Sequence, residues 1–479
     1  MTSNMGKLLK PDICVLGAGS GGLSVAAAAA QFGLDVVLVE KAKMGGDCLN
    51  TGCVPSKALL AAASAAHAGG AAKRFGVHYD APKIDFTAVK KHITQVIAAI
   101  EPNDSVARFT GLGVTVIEAP GRFVSPRMLE AGKHQIEARR FVVATGSTAA
   151  VPPIPGLAET PFLTNETIFE VAELPQHLIV IGGGPIGIEL GFAFRRLGSR
   201  VTIVEALTPL ANDDPELTGI VLDSVREEGV RILAGTRVEK VGFAKNKFTV
   251  TVSADGAQST LEGSHLLVAA GRSATVAGLD LDKAQIAHDR KGIQVSRRMK
   301  TSNPKVFAIG DVAGGLQFTH AANYHAGIVL RNILMRWPTR TRMHITPWVT
   351  YTDPELAWVG MNEAQAREHH GKISIQRWPV VENDRAQAER ATTGLVKVIT
   401  TKAGRIVGAG IVARHAGDLL QPWILAVTGG MKISAFTAMV VPYPTLGEIN
   451  KRAAQAFYTP KLVNSRLPAI ARWLSRLGR

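Results

Sequence analysis

The chain has 479 residues, 46% of them hydrophobic and 19% charged, which predicts roughly two to four domains and excludes a mostly disordered protein. Three cysteines exclude a secreted disulfide scaffold, and no uninterrupted apolar run reaches the roughly 18 residues of a spanning helix. The net charge of +15, from 54 Lys and Arg against 39 Asp and Glu, is dispersed, and the 6% of aromatic residues are not interleaved with it, so no nucleic-acid partner is expected.

The first ten residues lack the character of a signal peptide, and a strand begins near Ile13, so a soluble cytoplasmic protein is expected. Asp12-Ile-Cys-Val-Leu-Gly17-Ala-Gly19-Ser-Gly-Gly22 reads as a strand entering a glycine-rich turn. A helix follows over 23–32 and a second strand over 35–40, ending at Glu40. Gly45 to Lys57 holds two cysteines. A strand over 141–145 precedes the Pro-rich linker 151–156.

The opening pattern then returns. Leu178-Ile-Val-Ile-Gly182-Gly-Gly184-Pro-Ile-Gly187 runs into a helix ending near Leu197 and a strand over 200–205 that ends at Glu205. Each acid stands 23 residues after the first glycine of its copy. Further strands over 266–270 and 305–309 end at Gly271-Arg272 and Gly310-Asp311. From Ile345 the texture changes to strands with one helix over 362–368, then helical stretches over 416–425 and 446–458, an α+β pattern.

One glycine-rich turn is weak evidence, but two in the same register are not. The first glycine permits the tight turn, the second lets backbone approach a pyrophosphate, and the third brings helix and strand together. The helix N-terminus offers free N–H groups to the phosphate, and the acid accepts from ribose hydroxyls. Two such sites imply two dinucleotides, most simply in an enzyme that passes electrons between them. A carboxylate at Glu205 repels a 2′-phosphate, so NAD(H) is preferred, with NADP(H) admitted.

In Gly45-Gly46-Asp47-Cys48-Leu-Asn-Thr-Gly-Cys53-Val-Pro55-Ser56-Lys57, two cysteines five apart meet the start of a helix. A thiol at a helix N-terminus has a lowered pKa, and Pro55 suits the first turn. Cys14 reads as inert core, and two thiols without a nearby His disfavour a metal site.

These residues resemble the FAD-dependent pyridine nucleotide–disulfide oxidoreductases, class I, most of all their lipoamide dehydrogenase and mercuric reductase branch. The resemblance runs from Ile13 to about Ala456. It rests on Gly45 to Lys57, on Ala144-Thr145-Gly146-Ser147, on Gly310-Asp311, and on Pro347 to Gly360 with its Pro354-Glu355. It implies two Rossmann-like three-layer domains of βαβ units and an α+β C-terminal dimerisation domain. The expected division is an FAD domain over 1–150, an NAD domain over 151–279, a second FAD or central part over 280–346, and a dimerisation domain over 347–479, in a homodimer.

The resemblance further implies a redox-active Cys48–Cys53 disulfide, with Cys53 the thiolate against the flavin and Cys48 the interchange thiol. Lys57 and Glu189 would pair near flavin N5. FAD would lie on Gly17, Gly19, Gly22 and Glu40, and NAD(H) on Gly182, Gly184, Gly187 and Glu205. The remaining cofactor positions would be Lys41, Gly46, Asp47, Gly121, Thr145, Gly146, Ser147, Gly271, Arg272, Gly310, Asp311, Phe318 and Thr319. Electrons would pass from NAD(P)H through flavin and disulfide to a thiol, disulfide or metal-ion acceptor, as in mercuric reductases. The competing acceptors are dihydrolipoamide or, in another class, a quinone or membrane partner.

The pattern breaks at Tyr443-Pro444-Thr445-Leu446-Gly447-Glu448, where lipoamide dehydrogenases and glutathione reductases carry His-Pro-x-x-x-Glu. A phenol of pKa about 10 cannot replace an imidazole of about 6.5 as a base. Tyr443 and Glu448 remain the candidate catalytic positions there. A Tyr resembles mercuric reductases, whose C-terminal cysteine pair is missing here, and soluble transhydrogenases, which lack the first cysteine. His320 and His325 read as structural. Leu467, Ile470, Ala471, Leu474 and Leu477 recur at helical spacing with Arg472, Arg476 and Arg479 on another face, a basic amphipathic tail suited to weak membrane-surface contact.

Overall fold

The structure, a computed structural model, describes residues 7–459 and 467–477. The chain divides into two compact units, residues 1–209 with 231–342, and residues 210–230 with 343–479.

The first unit contains two parallel sheets built on one plan. In one, the strands run in the order Val306–Ala308, Arg140–Val143, Ile13–Leu16, Val36–Glu40 and Thr115–Glu118. In the other the order is Arg231–Leu233, Arg200–Val204, His177–Ile181 and His265–Val268. The inner strands are aliphatic because both faces are covered, and Ile13–Leu16 and His177–Ile181 are buried throughout. Each lies beside the strand that carries its acid, in register: Leu16 faces Val39, and Ile181 faces Val204.

From each central strand the chain enters a helix, Ser20–Gln31 or Pro185–Arg196. Both end at a left-handed glycine, Gly33 at φ 78° and Gly198 at φ 112°, the residue type that stops a helix without a Cβ clash. The expected helix over 23–32 thus begins earlier, at Ser20, because the glycines are its first turn. The first unit also holds antiparallel strands that the sequence reading passed over. Gly121–Ser125, Met128–Ala131 and His134–Ile136 form one set, and Arg237–Ala244, Lys247–Ala254 and Ala257–Gly263 form a meander.

In the second unit a five-stranded antiparallel sheet runs Trp348–Thr350, Glu355–Gly360, Ile406–Ala413, Leu395–Thr401 and Ile373–Pro379. Its core includes Trp423 stacked on Phe436, ring centroids 3.8 Å apart. The helix Pro215–Glu227 belongs to this unit. Its N-cap Asp214 meets the buried Lys397 Nζ at 2.7 Å, and Glu216 meets it at 2.9 Å. The expected helix over 362–368 spans Glu363–His370 under an Asn362–Gln365 capping box. The stretch over 416–425 is two helices, Ala416–Leu419 and Gln421–Gly429, with Pro422 in the first turn of the second. The expected helix over 446–458 is confined to Glu448–Gln455, and Asp384–Ala388 forms a further short helix.

Candidate redox site

The two glycine-rich turns are near copies. Gly17 at φ 102° and Gly182 at φ 113° take a conformation that other residues rarely adopt. A Cβ there would overlap the carbonyl of Ala144 or of Ala269. A Cβ on Gly22 or Gly187 would overlap the carbonyl of its own first glycine. Gly19 and Gly184 are different, since a Cβ on either would meet nothing within 4 Å. Each turn therefore closes tightly on itself and leaves space in front of a helix N-terminus, the cradle a dinucleotide pyrophosphate requires.

The acids complete the likeness. Glu40 accepts the Ala18 amide at 2.6 Å and the Ala42 amide at 2.8 Å. Glu205 accepts the Gly183 amide at 2.7 Å and the Leu207 amide at 2.8 Å. Lys41 is exposed beside Glu40. Gly121 opens a strand against Val39, where a Cβ would approach its side chain to 3.2 Å.

The cysteine segment is tied to the first turn, with the Gly45 amide donating to the Ala18 carbonyl at 3.0 Å. A Cβ on Gly46 would come within 2.8 Å of the Gly19 Cα. Cys48 lies in a short helix of its own, Gly46–Asn50, and Cys53 is the first residue of the helix Cys53–Ala72. Both are thiols in this structure and hydrogen-bond to each other. Cys53 Sγ also lies 3.6 Å from Thr319 Oγ1.

The two thiols are unequal. The hydrogen bond from Cys48 lowers the Cys53 pKa to about 6 against the effect of burial, with help from Thr319 and the Lys57 charge. The same hydrogen bond, with burial, pushes the Cys48 thiol up. Lys57 Nζ, one helical turn beyond Cys53, lies 2.8 Å from Glu189 Oε2, and the Glu189 carboxylate is buried. Cys14 is fully buried, and burial alone raises its pKa.

Behind the dithiol, Asp47 accepts from Thr51 Oγ1 at 2.7 Å and from Asn165 Nδ2 at 3.1 Å. Neither Thr51 nor Asn165 was singled out in the sequence; Thr51 is signalled by its spacing of four from Asp47, whereas Asn165 belongs to no motif. Ser147 Oγ donates to Asp311 Oδ2 at 2.5 Å, and Thr145 Oγ1 donates to the Thr275 carbonyl at 2.8 Å. Gly146 and Gly271 take left-handed turns at φ 68° and 119°. Arg272, at the end of the second sheet's chain, reaches Ser147, Asp47 and Asp311 rather than the second glycine turn.

The turn Gly310–Ala313 is held by His325, whose buried ring accepts the Gly310 amide at 3.2 Å. Burial lowers its pKa to about 4 and keeps that nitrogen free to accept. Phe318 is the N-cap of the helix Thr319–Leu334 and stacks on His320, centroids 5.3 Å apart.

Tyr443 and Glu448 lie in the second unit. Tyr443 is exposed, and its Oη donates to Asp384 Oδ2 at 2.9 Å, which raises the phenol pKa further. Glu448 pairs with Arg452 at 2.8 Å. Of the tail, Ile470, Trp473, Leu474 and Leu477 are exposed around the helix Leu467–Leu474, with Arg472 among them. The Leu467 side chain and Arg479 lie outside the described residues. Among the described residues no helix is long and apolar enough to cross a membrane, and no group of three or more His, Cys, Asp or Glu side chains is placed to hold a metal ion.

Residues 11–326 match the family model described as pyridine nucleotide-disulphide oxidoreductase, and residues 346–454 match the dimerisation domain of that family. The chain is 34% identical to a mercuric reductase of Streptomyces lividans, over 93% of this chain and 96% of that protein. It is also 34% identical to the mitochondrial dihydrolipoyl dehydrogenase of Caenorhabditis elegans, over 95% and 94% of the two chains. A solved structure titled a Cu(II) complex of the HOCl-induced flavoprotein disulfide reductase RclA from Escherichia coli superposes with a TM-score of 0.83 at 28% identity, covering 93% of this chain and 99% of that one. With two matching glycine-rich turns, a neighbouring thiol pair and these relatives, the chain belongs to the pyridine nucleotide-disulphide oxidoreductase family, whose members are FAD-dependent oxidoreductases that use NAD(P)H.

Proposed function

We propose that this enzyme takes electrons from NADH and delivers them through FAD and a redox-active Cys48–Cys53 pair to a thiophilic metal ion or small disulfide, in the manner of the mercuric reductase relatives. The observation that carries this reading is the pair Cys48 and Cys53 at the start of the helix Cys53–Ala72, with Cys53 Sγ 3.6 Å from Thr319 Oγ1 and Lys57 Nζ, one turn on, 2.8 Å from Glu189 Oε2. FAD and the nicotinamide together supply two-electron hydride chemistry. The residues do the rest. Thr319 and Lys57 hold negative charge on Cys53, which leaves Cys48 as the sulfur that meets the acceptor. Glu205 favours NADH, since its carboxylate and a 2′-phosphate repel.

The absent imidazole at Tyr443 favours a metal or small-disulfide acceptor over dihydrolipoamide, because proton transfer by an exposed phenol paired with Asp384 is unfavourable near neutrality. The likeness to the dihydrolipoyl dehydrogenase supports the second reading. Within the proposal, the FAD domain covers 1–150 and 280–346, the NAD domain 151–279 and the dimerisation domain 347–479. The protein is a homodimer and works in the cytoplasm, where thiols stay reduced. The exposed Trp473, Leu474 and Arg472 are proposed to touch an anionic membrane surface, and removing residues 467–479 is expected to reduce liposome co-sedimentation.

The deciding experiment is anaerobic NADH titration of the yellow protein, followed by turnover with mercuric ion, glutathione disulfide, lipoamide and quinones. Cys48→Ser is expected to abolish turnover of the true acceptor and to spare NADH-dependent dye reduction. Full acceptor turnover in Cys48→Ser would exclude the dithiol route and leave direct electron transfer to a quinone or membrane partner.

A further inference from the structure

Arg272 opens the short strand Arg272–Ala274, which pairs with Ser147–Ala149, and its side chain is only 11% exposed. Its guanidinium reaches three separate segments. Nε donates to Ser147 Oγ at 2.8 Å, and Nη2 donates to the Ser147 carbonyl at 2.9 Å. Nη2 lies 3.1 Å from Asp47 Oδ2, and Nε lies 3.9 Å from Asp311 Oδ2. One largely covered cation thus stands between two carboxylates, one next to Cys48 in sequence and one on the turn Gly310–Ala313.

Asp47 bears directly on the dithiol, since its negative charge opposes a thiolate at Cys48 and at Cys53 alike. We propose that Arg272 is a positioning residue for the redox pair: by neutralising Asp47 and fastening it to Ser147 and to Asp311 on the turn Gly310–Ala313, it makes the Cys48–Cys53 disulfide easier to reduce. The inference rests on the reading of these cysteines as a redox pair.

The electrostatic balance gives the direction. Reduction breaks the Cys48–Cys53 bond, takes up two electrons and, near neutrality, one proton, and leaves a thiolate on Cys53 and a thiol on Cys48. That step adds one negative charge beside Asp47. With Arg272 in place the new charge faces a neutralised pair; without Arg272 it faces a carboxylate held only by the neutral donors Thr51 and Asn165, and the reduced form loses ground. Arginine suits the position because its planar fork serves Ser147 and Asp47 together, which an ammonium point charge cannot do.

The test equilibrates the purified holoenzyme with mixtures of reduced and oxidised dithiothreitol at pH 7, quenches with a maleimide, and counts modified thiols by mass. Dithiothreitol supplies the two electrons and becomes the cyclic disulfide. Arg272→Gln is expected to require a ratio of reduced to oxidised dithiothreitol about ten-fold higher for half-reduction, as for one uncompensated charge near the sulfurs. Adding Asp47→Asn to Arg272→Gln is expected to bring the ratio back to within about two-fold of the wild type, and Arg272→Lys to fall between. If Arg272→Gln does not retain FAD, the same titration is run on wild-type and variant apoprotein. An unmoved half-reduction ratio in Arg272→Gln, or no restoration by Asp47→Asn, overturns the role of Arg272 while leaving the redox pair standing. A wild-type pair that never forms a disulfide overturns both readings.

Discussion

Glu205 Oε2 accepts the Gly183 amide at 2.7 Å, so the acid that closes the second strand also clamps the glycine turn beside it. A nicotinamide cofactor seated on Gly184, as proposed, would meet that carboxylate at its adenosine ribose. The wild type is expected to show a kcat/KM for NADH at least about ten-fold above that for NADPH, and Glu205→Gln to narrow the gap to about two-fold by removing the charge that repels a 2′-phosphate. Steady-state kinetics with both cofactors checks this; an unchanged ratio would remove Glu205 from cofactor choice.

The Lys57–Glu189 pair predicts a defect confined to the reductive half-reaction. Glu189→Ala leaves the Lys57 ammonium without its 2.8 Å partner, and Lys57→Met removes the positive charge altogether. Either change is expected to slow the bleaching of the flavin band by NADH by about 100-fold while FAD remains bound, the size expected when one preorganised charge is lost. Anaerobic stopped-flow absorbance measures the rate.

Cys53 predicts the pH dependence. Its pKa of about 6 means that the thiolate is present above that pH and is lost as the pH falls through it. The long-wavelength absorbance of the two-electron-reduced enzyme, which reports a thiolate against the flavin, is therefore expected to fade on acidification with a midpoint near 6. Thr319→Val removes the hydroxyl beside the sulfur, so the midpoint should move upward; a midpoint that stays in place would mean the 3.6 Å contact holds no charge.

In the second unit, Lys397 is 4% exposed and faces Asp214 and Glu216. Lys397→Met would leave the buried Asp214 carboxylate without its cation, while Glu216 keeps Arg377, at a cost of about 3 kcal/mol. Urea unfolding followed by intrinsic fluorescence should show the lower midpoint, and Asp214→Asn in the same chain should recover part of the loss.

Some of the fold was readable because a local rule forces it. The aliphatic strands Ile13–Leu16 and His177–Ile181, their glycine turns and their terminal acids repeat one pattern, and only glycine fits where a Cβ would overlap a carbonyl. Other parts were equally local but passed over. In Lys247–Ala254 the residues Phe248, Val250 and Val252 alternate inward, and left-handed pairs at Lys245-Asn246 and Asp255-Gly256 turn its hairpins. The helices 416–425 and 446–458 were placed but not bounded, since proline and capping decide where each begins.

The sequence by itself determined the family resemblance, the two glycine-rich turns and the candidate sulfurs, because these depend on residue types at short, fixed spacings. Only the tertiary structure decided which distant groups face them. Asn165 stands 114 residues from Thr51 in sequence and donates to its carbonyl, Thr319 lies 266 residues from the Cys53 whose sulfur it touches, and Arg272 reaches from the strand Arg272–Ala274 to carboxylates on the helix Gly46–Asn50 and the turn Gly310–Ala313. Such contacts arise from the packing of whole layers around buried charge, where the cost of leaving a carboxylate or a thiolate unpaired selects a partner by position in space, and no spacing along the chain records that choice.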